Sequence, residues 1–273
     1  MKKLRIFIIT FIITFIMIGG FVVLGMVEIN SLEINNLKIK LKNLAPEIEE
    51  KVFVQISDIH FRNFSSQEKN LLKELKRISP DYIFITGDLV DWTTKNLADL
   101  EKFLDKIVKI PRKKIYLVFG NHEHRNRKLK AIRKILLEKG ISILNNKNVF
   151  LEEEKIYLIG VDDPHLGFDK LSEAIEGIEK DAPKILLAHS PEIFRKVNFN
   201  NVLVLCGHTH GGQINLPFIS NLILPLKYDK KYKRGLFGKN YKYLYVNKGI
   251  GWTFIPFRFR ATPEIVIIKL KND

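Results

Sequence analysis

The chain has 273 residues and a formal net charge of +15, with a single cysteine, Cys206. That length supports a sizeable core and, beyond an apolar N-terminal segment, one large domain. The lone thiol excludes an intramolecular disulfide. The charge points to an anionic partner, whether a phospholipid surface, a phosphorylated substrate or a nucleic acid, unless it is simply a solvated lysine-rich surface.

Residues Ile6 to Val27, "IFIITFIITFIMIGGFVVLGMV", form an uncharged run long enough to cross a hydrocarbon layer of about 30 Å as a helix. No small-x-small cleavage site follows, so an uncleaved anchor is preferred to a signal peptide. Lys2, Lys3 and Arg5 precede the run and Glu28 and Glu33 follow it. This favours a single-pass protein of the cell membrane with a cytoplasmic tail and an extracytoplasmic domain, although Lys38, Lys40 and Lys42 weigh the other way. Residues 28–49 read as a polar linker leading into a domain at 50–273.

The first strand is expected at "KVFVQISDIH", followed by a helix over "SSQEKNLLKELKRISP" with a Ser cap. "DYIFITGDLVD" is the next strand, "NLADLEKFLDKIVKIP" a helix stopped by Pro111, and "KIYLVFGNHEH" a third strand. "RKLKAIRKILLEKG" reads as a helix closed by Gly140, and "KLSEAIEGIEKD" as a weaker one. "KIYLIGVDDPH", "KILLAHSP", "NVLVLCGHTHGG", "KYLYVNKGIGW" and "PEIVIIKL" complete the strands. Helices interleaved early and strands dominating late predict an α/β fold: a two-sheet β-sandwich flanked by helices, preceded by one transmembrane helix.

Polar clusters close these hydrophobic runs. Asp58, His60, Asp88, Asn121, His122, His189, His208 and His210 all follow strand-like segments, where ligands bind in open α/β sheets. Singly, each cluster reads equally as a turn, a cap or a surface histidine. Together they offer oxygen and imidazole donors without thiolate, suited to a divalent metal such as Mn, Fe, Co or Zn. There are enough donors for two ions if one carboxylate bridges, and two ions 3.5 to 4 Å apart are a standard device of phosphoryl chemistry.

In this arrangement the sequence resembles the calcineurin-like metallophosphoesterases. The motifs are Asp58-Ile59-His60, Gly87-Asp88-Leu89-Val90-Asp91, Gly120-Asn121-His122-Glu123, His189 and Gly207-His208-Thr209-His210, in family order. "SDIH", "AHSP", "GHTHGGQ", "NKGIG" and "PEI" resemble the membrane-anchored bacterial subgroup, which includes envelope phosphodiesterases and enzymes that cleave UDP-2,3-diacylglucosamine. The resemblance implies an αββα fold and two divalent metal ions, manganese first, with zinc, iron or cobalt as alternatives. It implies that Asp58, His60 and His210 hold one ion and Asn121, His189 and His208 the other, with Asp88 bridging. It further implies a metal-bridging hydroxide as nucleophile and His122 as proton donor to the leaving oxygen, with Glu123 orienting or charge-tuning it. Asp91 is then a supporting residue.

On this reading His208 and His210, at i and i+2 of an extended segment, point the same way, one to each ion, before a turn at Gly211 and Gly212. Arg62 is either a phosphate contact or a solubilising residue. Asp162 and Asp163 read as a turn in preference to a contact with substrate hydroxyls, and His124 and His165 as surface residues. "INLPFISNLILPL" and the basic, aromatic "KYDKKYKRGLFGKNYKY" suit a lipid-linked substrate with an anionic head, or a buried loop and a solvated turn. Single-stranded nucleic acid ranks below these because the N-terminus is tethered. The expected function is hydrolysis of phosphodiester or pyrophosphate bonds in a phosphorylated small molecule or lipid-linked substrate. UDP-2,3-diacylglucosamine cleavage and a non-catalytic metal-binding scaffold are the alternatives, and oligomeric state is left open.

Overall fold

The computed structural model of the protein describes residues 2–216, 224–227 and 230–273. The apolar run forms α1, Lys2–Asn30, a helix long and apolar enough to cross a membrane, whose side chains are largely exposed.

Two six-stranded sheets follow. The first has the order β1 (Glu33–Leu41), β12 (Glu264–Asn272), β2 (Phe53–Ile56), β3 (Tyr82–Thr86), β4 (Lys114–Val118) and β5 (Ser142–Ile143). The second runs β10 (Gly235–Lys239), β11 (Lys242–Val246), β9 (Val202–Cys206), β8 (Lys184–Leu187), β7 (Ile156–Gly160) and β6 (Lys147–Leu151). Strands β2 to β5 pair in parallel, as do β7, β8, β9 and β11, so each sheet gathers several strand C-termini at one rim.

Side-chain alternation explains the layering, because successive residues of a strand face opposite sides. Phe53, Tyr82, Phe84, Ile185, Leu187, Leu203 and Leu205 point into the core between the sheets. Their neighbours Val54, Ile56, Ile83 and Ile85 face outward, onto helices α2 (Ser66–Ile78), α3 (Leu97–Ile107) and α5 (Leu129–Glu138). On the far side Leu186, Val202, Val204 and Cys206 pack against Leu171, Ala174 and Ile193. The expected two-sheet sandwich with flanking helices is therefore the observed architecture.

Helix α2 starts at a capping box in which the Ser65 N–H donates to Glu68 Oε2 at 2.8 Å. Three details depart from expectation. The presumed linker at 28–49 contains β1, paired in parallel with β12 along nine residues, and its Leu37, Ile39 and Leu41 are buried while Lys38 and Lys40 are exposed. That alternation is what a half-buried edge strand requires, and the lysines disguised it. The weak helix at "KLSEAIEGIEKD" shrinks to α6, Leu171–Ala174, with Gly177 at φ 75° beyond it. A short helix α4, Asn121–Arg125, begins inside the third strand motif.

Candidate metal centre

The parallel strands deliver their polar ends to one pocket. Asp58 and His60 follow β2, Asp88 follows β3, Asn121 and His122 open α4 after β4, His189 follows β8, and His208 and His210 follow β9. All eight are buried.

Five of them, Asp58, His60, Asp88, His208 and His210, hold left-handed φ between 48° and 71°. Such values are unfavourable for residues with a Cβ and concentrate where a site dictates the backbone. The surrounding chain makes room. A Cβ on Gly120 would lie 2.7 Å from His189 Cγ, and one on Gly249 2.7 Å from the Asp58 Cβ. Glycine is required there for close approach.

The donor atoms fall into two overlapping groups. In one, His60 Nε2 lies 2.9 Å from His210 Nε2, and Asp58 Oδ1 lies 3.4 Å from His210 Nε2. In the other, His189 Nε2 lies 3.1 Å from Asn121 Oδ1 and 3.0 Å from His208 Nδ1. Asp88 Oδ2 stands between them, 3.6 Å from His60 Nε2 and 3.2 Å from His189 Nε2.

The outward-facing ring nitrogens settle which atoms are free to bind. His189 Nδ1 donates to Thr86 O at 3.0 Å and His208 Nε2 to Pro225 O at 3.1 Å, while His60 Nδ1 faces Asp91 Oδ2 at 3.4 Å. Each ring thus turns its other nitrogen inward, the arrangement that orients a histidine ligand. Burial holds His60 below its ordinary pKa and His208 and His210 well below it, the last two aided by neighbouring imidazoles, so these rings are neutral. Burial opposes charge on His189 too, but Asp88 and Asp58 raise it well above the ordinary value, and a bound cation would displace that proton. Asp88 resists its own burial because His189, His122 and His60 hold it well below the usual carboxylate range. Buried carboxylates, an amide oxygen and inward ring nitrogens converging at this spacing fit divalent cations, with no thiolate among them.

His122 sits at the lip. Its Nδ1 lies 3.3 Å from Asp91 Oδ2 and its Nε2 4.0 Å from Asp88 Oδ2. Burial lowers its pKa, but Asp88 and Asp91 outweigh that and raise it. Asp91 also accepts from Arg62 Nη2 at 2.6 Å, and the Arg62 guanidinium lies 3.8 Å from the centre of the Trp252 ring. Arg62 is therefore engaged with protein groups.

Other residues depart from the sequence reading. Glu123 lends charge to His122, helping to raise its pKa, while its hydrogen bonds go elsewhere: its Oε2 accepts from the N–H groups of Asp88 and Gly120, and its Oε1 from Val90. It fixes the loop backbones, and burial beside Asp88 pushes it up to about 7. His208 and His210 lie in a left-handed turn, not an extended segment. They face opposite halves of the centre, with right-handed Thr209 between them donating Oγ1 to Lys233 O at 2.5 Å. His124 and His165 are not plain surface residues: His124 Nε2 meets Asp162 Oδ1 at 2.6 Å, and the His165 ring centre lies 4.6 Å from that of His208. Asp163 caps its own turn, accepting from His165 N and Leu166 N at 3.1 Å.

Arg258 was missed by sequence reasoning. It is fully buried, donates to the carbonyls of Lys248, Gly251 and Ala261, and brings Nη2 to 3.2 Å from His210 Nδ1. Its only sequence signal is the alternation Phe257-Arg258-Phe259-Arg260.

The sequence profile described as calcineurin-like phosphoesterase matches residues 51–212, more than half of the chain and nearly all of the centre. The chain belongs to that family. This phosphoesterase is 32% identical over 227 residues to the uncharacterized metallophosphoesterase YkuE of Bacillus subtilis, covering 80% of this chain and 78% of that one. It is 29% identical over 199 residues to the phosphodiesterase YaeI of Escherichia coli, covering 70% of each. A transmembrane protein with metallophosphoesterase domain from Danio rerio matches at 28% over 255 residues, covering 86% of this chain and 56% of that one. The protein is a metal-dependent phosphoesterase.

Asp88, Asn121, His122, His208 and His210 line a cavity of about 470 Å³, together with Arg125, His165, Ile214, Leu224, Pro225, Phe254 and Ile255. Most of the "INLPFISNLILPL" segment and part of "KYDKKYKRGLFGKNYKY" lie outside the described residues.

Proposed function

We propose that the protein is a membrane-anchored phosphodiesterase or pyrophosphate hydrolase working with two divalent ions. The carrying observation is the pair of buried donor groups meeting at Asp88, with His122 Nε2 facing the same cavity. Asp58, His60 and His210 would hold one ion and Asn121, His189 and His208 the other, with Asp88 shared; manganese is the first choice. Two such ions supply an activated water and neutralise phosphate oxygens.

The protein's own groups do the rest. Asp91 holds His122 Nδ1, so the proton on Nε2 is presented to the leaving oxygen of a phosphoester in the cavity. Asp88 and Asp91 raise the pKa of His122 against its burial, which favours the protonated ring. Arg258 Nη2 lies 3.2 Å from His210 Nδ1 and, after burial and His60, its charge disfavours a second proton on that ring. Helix α1 would hold the domain at the cell membrane, on the side opposite the basic tail Lys2, Lys3 and Arg5.

A lipid-linked substrate is favoured by the cavity wall, where Ile214, Leu224, Pro225, Phe254 and Ile255 are apolar. UDP-2,3-diacylglucosamine is the narrower candidate on that ground. The full-length protein, stripped of metal and resupplied with Mn, Zn or Mg, is expected to hydrolyse an aryl phosphodiester faster than an aryl phosphomonoester. Preference for UDP-2,3-diacylglucosamine would place it among nucleotide-lipid hydrolases. No turnover of any substrate with two ions bound would overturn the hydrolase reading in favour of a metal-binding scaffold.

A further inference from the structure

The C-terminal turns of α1 are docked, not free. The Phe21 ring lies 5.1 and 4.8 Å from those of Phe257 and Phe259, and Gly25 leaves no space for a Cβ against the Phe257 ring. Gly25 O accepts from Arg258 N at 3.3 Å, and the Glu28 carboxylate accepts from Arg260 N, Ala261 N and Thr262 Oγ1 at 2.8, 2.5 and 3.0 Å. The loop at 257–262 is thereby fixed to the helix at a known height.

That height decides the matter. From Ile6 to Gly20 the helix rises only about 22 Å at 1.5 Å per residue, short of the roughly 30 Å of a hydrocarbon core. A bilayer spanned by α1 must therefore reach the level of Phe21 to Val27, where the loop is docked.

The same loop carries the most exposed large apolar side chain of the described domain. Phe254 is 96% exposed and Ile255 49%. Phe254 has φ 63°, a left-handed value rarely adopted by a bulky residue, which projects its ring outward. Arg260 of this loop is exposed, as is Arg234, whose guanidinium bonds Arg260 O. Aromatic and aliphatic tips accompanied by exposed arginines match the boundary layer of an anionic bilayer. Thr253, Phe254 and Ile255 also line the same cavity as Asp88, His122 and His210.

We propose that residues 253–260 are an interfacial seat: Phe254 and Ile255 enter the headgroup–acyl boundary of an anionic bilayer beside α1, so that the phosphoester cavity opens against the membrane surface. This rests on α1 spanning the membrane. The seat restricts the natural substrate to phosphoesters held at headgroup depth.

The test uses the full-length protein in nanodiscs of phosphatidylglycerol and phosphatidylcholine, with Cys206 left in place because it is fully buried. Single variants Phe254→Cys, Ile255→Cys, Ile16→Cys and Glu152→Cys carry a bimane label, and quenching by nitroxide-bearing lipids is read. Ile16 reports the span, and Glu152 lies at the opposite ends of the strands. Quenching at 254 and 255 several-fold above that at 152, together with strong quenching at 16, is the expected result. Quenching at 254 and 255 no greater than at 152, with 16 quenched, overturns the seat and leaves the span intact. Absence of quenching at 16 overturns the span and the seat with it.

Discussion

At the scale of single residues, the site depends as much on groups that never face the substrate as on those that do. Glu123 ties together the loops after β3 and β4 through the N–H groups of Asp88, Val90 and Gly120. Glu123→Ala would strand three buried donors at about 1–3 kcal/mol each. The expected loss is roughly 3 kcal/mol or more, read as a fall in Tm of about 2–4 °C per kcal/mol for a chain of this size. Thermal unfolding at the wild-type temperature would show that these bonds carry no net stability. The polar residues flanking each strand end were legible because a hydrophobic run breaks abruptly there. Glu123's contacts were not, since they depend on where two distant loops meet. Nor was Arg258, whose carbonyl partners at 248, 251 and 261 become a binding site only when the loop folds around them.

At the scale of elements, the interior strands were readable and the edges were not. β2, β3, β8 and β9 are buried on both faces and appear as mostly apolar runs, with Gln55 inside β2 and Lys184 opening β8. β1 alternates buried leucine or isoleucine with exposed lysine, and the charge masked the period of two. It nonetheless covers one edge of β12 over nine residues. A soluble fragment starting at residue 31 is expected to fold, whereas one starting at residue 50 leaves β12 uncovered and exposes the core around Ile268 and Leu270. Gel filtration of the two fragments checks this. A monodisperse, thermally cooperative fragment from residue 50 would contradict the role assigned to β1. The helix expected at 170–181 failed for a local reason: Gly177 takes a left-handed φ that ends any helix there.

At the scale of the molecule, the centre joins the two sheets. Asp58, His60, Asp88 and Asn121 come from the first sheet and His189, His208 and His210 from the second. Each of the two donor groups assigned above draws on both sheets. The two-layer architecture was legible from the order of strands and helices, but the docking of α1 onto residues 257–262 was not, because those contacts join segments more than 230 positions apart. The central claim is that this two-sheet centre is catalytic and that His122 moves the proton. The most direct measurement compares the wild-type full-length protein with His122→Ala after loading with manganese, recording both bound metal and hydrolysis of an aryl phosphodiester. The account predicts about two ions per chain in both proteins and a rate lower by roughly 10²- to 10⁴-fold in the variant. Equal rates at equal metal content would contradict it.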